Sequence, residues 1–117
     1  MARLKQLNRS AVHLIASRLT EDCPSFEKPI HELNVGDLIR EIRDFHGESN
    51  DFIRYDMPIK EIVFRTFLIR GNEPIALTDL HHELTGRWSN ALRPISIEES
   101  LLRRVLETDV YYGFAEV

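Results

Sequence analysis

MPIKEIVFRTFLIRGNEPIALTDL, running from Met57 to Leu80, is the stretch on which the fold turns. Pro58 suits the first turn of a helix, where its missing N–H leaves no bond unmade. Ile59, Ile62, Val63, Thr66, Phe67 and Ile69 then carry a helical repeat up to a stop at Gly71, and Phe64 and Leu68 make it apolar on most sides. Such a helix belongs in the middle of a core. Gly71-Asn72-Glu73-Pro74 reads as a turn, Ile75-Ala76-Leu77 is long enough only for a bridge-like strand, and Thr78 is placed to cap the next helix.

Downstream, Leu80, Leu84 and Trp88 form one face of that short helix, and Pro94 separates it from the next. Ser96 and Glu99 have the three-residue spacing of a capping box, in which serine and glutamate each satisfy a first-turn amide. Ile97, Leu101, Leu102, Val105 and Leu106 supply the buried stripe, and Thr108-Asp109 ends it. Val110, Tyr111, Tyr112, Phe114, Ala115 and Val117 favour a strand, with Gly113 as a bulge.

This order of helix, three-residue strand, capped helix, third helix and aromatic strand, from Pro58 to Phe114, resembles the winged helix-turn-helix superfamily. The resemblance implies a DNA-binding scaffold whose third helix enters the major groove. A full wing needs a further strand returning after the last one, and the sequence offers a single strand there. Either the wing hairpin is missing, or its partner strand comes from elsewhere, such as residues 51 to 55 or a second subunit. An unpaired strand rich in Val, Tyr and Phe is a docking edge.

Upstream, Leu4, Leu7, Ala11, Leu14, Ile15 and Leu19 predict an amphipathic helix from residue 3 to about 20, followed by a connector containing Pro24 and Pro29. Asn34 and Asp37 mark the start of a second helix with a stripe of Val35, Leu38, Ile42 and Phe45, and Gly47 marks its end. Phe52, Ile53 and Tyr55 dock the following loop on the core. The expected architecture is therefore mainly α: an N-terminal helical extension over residues 1–56, and a winged helix-like α+β half over 57–117 with a small, incomplete sheet. The two N-terminal helices pack back on that half or pair with those of a second copy.

The chain has 117 residues, 43% of them hydrophobic, enough for one core without a covalent staple. Cys23 is the one cysteine, so no intrachain disulfide forms, and a reducing cytoplasm is the expected compartment. Charged residues interrupt every apolar run well short of the roughly 20 residues of a membrane span, so no membrane association is expected. A net charge of −4 and a pI near 5.7 weaken any general attraction to nucleic acid, although a local basic patch still permits it.

Two candidate surfaces follow. Arg87, Arg93, Arg103 and Arg104 surround the third helix of the C-terminal half and form the DNA-binding set, clamping phosphates. Against it stand Glu98 and Glu99 at the head of that helix, where they suit the helix dipole and repel phosphate. Trp88, Tyr111, Tyr112 and Phe114 form the partner-binding set of an interaction module that meets another protein or itself. Trp88 also fits the core stripe of Leu80 and Leu84, with the arginines paired to Glu83, Glu99 and Glu107. His81 and His82 diverge on a helix and lack partners at metal-ligand spacing, while Cys23, His13, His31 and His46 are scattered. No metal, cofactor or catalytic set is expected, and a binding role is expected in place of an enzymatic one.

Overall fold

Short local signals and long-range pairing together set the elements in a computed structural model, which describes residues 1–5, 9–47, 52–54, 56–89 and 95–116. The chain runs through β1 (Ala2–Leu4), α1 (Arg9–Ala16), a 3-10 turn (Ile30–Glu32), α2 (Val35–His46) and α3 (Ile59–Ile69). It then passes through α4 (Leu77–His82), a π-helical turn (Glu83–Arg87), α5 (Glu99–Thr108) and β2 (Phe114–Glu116). The protein is mainly helical with a small antiparallel sheet.

The N-terminus departs most from expectation. Residues 2–4 form a strand, and the helix occupies only Arg9–Ala16. Leu4 fits a helical stripe, but strand pairing gives it more. Its side chain is 2% exposed, and its N–H and C=O are both held by the side-chain amide of Asn72, at 2.7 and 3.0 Å. At the other end of α1, the hydroxyl of Ser17 and the guanidinium of Arg18 both donate to the Leu14 carbonyl, which the helix ladder would otherwise need. The helix therefore stops early.

β1 has backbone partners on both sides. On one side it pairs with β2 in the register Ala2↔Glu116, Arg3↔Ala115, Leu4↔Phe114, extended by a bond from Lys5 N–H to the Gly113 carbonyl. On the other, Ala2 exchanges two backbone bonds with Ile75, which is the only residue of the expected Ile75-Ala76-Leu77 strand to pair. The strand that pairs with β2 thus comes from residues 2–4, a segment expected to be helical from residue 3. Phe52 and Ile53 bury their side chains, and Tyr55 lies outside the described residues.

α3 sits at the centre, with Ile62, Val63, Phe64, Thr66, Phe67, Leu68 and Ile69 buried. α2 lies against it through Val35, Leu38, Ile39 and Ile42, and α1 lies against α2. The buried stripe of α2 continues to His46, one residue past the expected Phe45, which is 49% exposed. A step of four from Ile42 keeps the stripe under the same row, and a step of three carries Phe45 to its rim.

Caps differ as well. Asn34 accepts from the Asp37 N–H as expected. Ala76 precedes α4, so Leu77 is helical and Thr78 does not cap; its hydroxyl donates to Glu99 at 3.2 Å. Glu99 is thereby drawn away from Ser96, Glu98 takes the cap position of α5, and the capping box does not form. Only Leu102 of the α5 stripe is buried, while Leu101 is 49% exposed.

Candidate functional site

The end of α5 is shaped by one carboxylate. Asp109 has a fully buried side chain and accepts from the N–H groups of Tyr112 at 3.0 Å and Gly113 at 3.0 Å, with longer bonds from Tyr111 and Phe114. These bonds curl residues 109–113 into a turn, with Gly113 at φ 80°, where a side chain is disfavoured. The expected strand therefore begins only at Phe114. Val110 is fully exposed, Tyr111 is 66% exposed, and Gly113 is a turn residue instead of a bulge.

The aromatic candidates separate by burial. Trp88 and Phe114 are core residues, Tyr112 is half-buried, and Tyr111 alone is free to meet a partner. Phe114 packs edge-on to Phe67 with centroids 5.7 Å apart, and Tyr112 stacks on Phe114 at 5.5 Å. The arginines separate too. Arg87 lies over the Trp88 ring at 4.4 Å, approaches Glu83 at 4.0 Å and donates to the Gly47 carbonyl at 3.4 Å. Arg103 and Arg104 are exposed on α5 and make no ion pair among the described residues. Arg93 lies outside the described residues. No described contact joins Arg87 to the α5 arginines.

A groove of about 490 Å³ is lined by Ala2 and Lys5 of the β1 segment, Arg103, Leu106 and Glu107 of α5, and Phe114 of β2, among others. The outer edge of β2 has no strand partner among the described residues. Antiparallel pairs alternate between bonded and non-bonded, so the Lys5–Gly113 bond makes Arg3–Ala115 a bonded pair and Leu4–Phe114 and Ala2–Glu116 non-bonded ones. The N–H of Glu116 and the C=O of Phe114 therefore point away from β1. Among the described residues no backbone group meets them.

On α3, charge is concentrated at Glu61. Its carboxylate accepts from Arg18 at 2.7 and 3.1 Å, from Arg65 at 2.7 Å and from the Tyr112 hydroxyl at 3.1 Å. Burial pushes this carboxyl up, but the two guanidinium partners outweigh burial and hold it at about 2. Burial and the Glu61 charge push the Tyr112 phenol up, so it stays a donor, and the bond to Glu61 raises Arg18. Every group in this cluster is satisfied by another, which describes a clasp joining α1, α3 and the last turn.

Cys23 and His46 both approach Thr20, whose hydroxyl lies 3.8 Å from the thiol and 2.9 Å from the imidazole Nε2. The His46 ring stacks on Phe52 at 4.9 Å. The thiol is buried and the threonine stands between it and the imidazole, so these groups tie the connector to α2. Among the described residues no three His, Cys, Asp or Glu side chains gather in a way that could hold a metal. Nor is any helix in the described residues long and apolar enough to cross a membrane.

No family model, curated protein or solved structure matches this chain.

Sequence reasoning did not single out Glu61, Asn72 or Asp109. Glu61 and Arg65 at four-residue spacing carried a visible hint, and Asn72 in a Gly-Asn turn suits its φ of 55°. Their partners Arg18 and Leu4 lie 43 and 68 residues away, beyond the reach of any local pattern.

Proposed function

We propose that this chain is a small interaction module on a winged helix-like scaffold, binding another protein or itself through the open edge of β2 and the groove beside α5. The observation that carries this reading is the outward pair of Glu116 N–H and Phe114 C=O beside a groove lined by charged and apolar side chains alike. A strand of a partner added there satisfies both groups, and pockets alongside supply selectivity. The scaffold reading draws support from the order α3, Ile75 bridge, α4, α5 and β2, with β1 paired to β2 on one side and bridged to Ile75 on the other. The aromatic part of the surface reduces to Tyr111, since Trp88 and Phe114 serve the core. The role is one of binding, with no reaction assigned, and Cys23 as a free thiol suits a reducing cytoplasm.

Glu116→Pro is the direct test, because it removes the outward donor and leaves the Arg3–Ala115 pairing intact. A complex recovered from the source cell extract with the parent chain should be lost with this variant. Retention of the complex would sink the edge as the docking site.

Arg103 and Arg104, exposed and without ion pairs among the described residues, support a second reading as a DNA-binding transcription regulator. Glu98 and Glu99 at the head of α5 and the net charge of −4 weigh against it. Retardation of duplex DNA at low salt, falling steeply as salt rises and weakened by Arg104→Ala, would favour this second reading. Absence of retardation at low salt removes it.

A further inference from the structure

Resting on the reading of β2 as a docking edge, we infer that its occupant is a second copy of this chain, joined β2 to β2 about a two-fold axis at Ala115. In an antiparallel pair centred there, Glu116 of each copy faces Phe114 of the other. The outward Glu116 N–H then donates to the outward Phe114 C=O of the second copy, and the symmetry repeats the bond. Both groups that β1 leaves unused are satisfied. Ala115 meets its own equivalent at a non-bonded position, where Cα atoms approach to about 4.5 Å and a small side chain fits.

The charges beside the edge favour a self-partner over any other. Arg103 and Glu107 sit one turn apart on α5, both line the groove next to Ala115 and Glu116, and both are exposed. Among the described residues neither is in an ion pair. In the pair we infer, the α5 helices of the two copies meet across the axis with Arg103 of one opposite Glu107 of the other, and the reverse. Opposite charges at i and i+4 are the self-complementary arrangement that an isologous interface requires. A partner unrelated in sequence has no such constraint.

Sedimentation equilibrium of the full chain over a concentration series tests this. The expected species has twice the mass of the 13.7 kDa chain. Arg103→Glu and Glu107→Arg should each weaken association by about tenfold or more, since each replaces two attractions by two repulsions. An equimolar mixture of the two single variants should associate again, as should R103E/E107R, because like charges then face unlike across the axis. Glu116→Pro should leave a monomer, with far-UV circular dichroism confirming that it stays folded. A wild-type chain that remains monomeric, or single variants that associate as well as wild type, overturns the inference. If the wild type is monomeric yet binds another protein in a manner lost with Glu116→Pro, the second copy is wrong and the docking edge stands. If the complex survives that substitution, both fail.

Discussion

Glu61 keeps its charge in a half-buried site because three donors converge on it, and this makes it the residue through which acid acts on the fold. Its carboxyl lies at about 2 against an ordinary value of 4.5. A depressed carboxylate pKa contributes stability that is fully present above the ordinary value and is lost as pH falls through the folded one. Its share, roughly 3 kcal/mol, should therefore disappear between about pH 4.5 and pH 2. Glu61→Gln removes one charge and leaves Arg18 and Arg65 facing each other without it. The expected loss at pH 7 is about 3 kcal/mol in urea unfolding, with the acid-dependent part between pH 4.5 and 2 reduced. An unchanged acid dependence would show that other carboxylates carry it.

At the scale of the element, the turn after α5 shows a single side chain replacing a stretch of secondary structure. Val110, Tyr111 and Tyr112 have strong strand propensity, but pairing them would take the Asp109 carboxylate away from the amides it now holds. Strand propensity is weak unless a neighbour is there to pair with. β1 is only long enough to reach Gly113, so the local bonds of Asp109 prevail over residues 110–112. Asp109→Ala should cost about 2 kcal/mol by leaving several turn amides without an acceptor. Hydrogen exchange at Tyr112 and Gly113 should accelerate, while α3 amides in the centre stay protected. The same logic explains α5, whose expected serine cap loses its glutamate to Thr78 of α4.

Across the whole molecule, β1 couples the two ends of the chain, since its three residues touch Ile75, Asn72 and β2 at once. Asn72 does for Leu4 what a neighbouring strand would do, with an amide side chain in place of a backbone. Asn72→Ala leaves the buried Leu4 N–H and C=O without partners and places alanine at φ 55°, for an expected loss of about 3 kcal/mol. Because β1 spans both halves, the loss should appear equally in Trp88 fluorescence and in far-UV circular dichroism, with coincident transitions. Separate midpoints would mean that residues 1–56 and 57–117 unfold as independent units.

The amino-acid sequence alone determined the mostly helical character, the central place of α3, the start of α2 at Asn34 and the turn at Gly71-Asn72. Each rests on periodicity or on capping and turn chemistry that acts over a few residues. The tertiary structure alone decided that Leu4 belongs to a strand, that Trp88 and Phe114 serve the core, that Glu61 is the charge hub, and that one edge of β2 has no strand partner among the described residues. Those outcomes depend on partners tens of residues away. A hydrogen bond or a buried contact between distant residues leaves no spacing in the sequence to read, and where it competes with a local preference, burial and bond satisfaction decide.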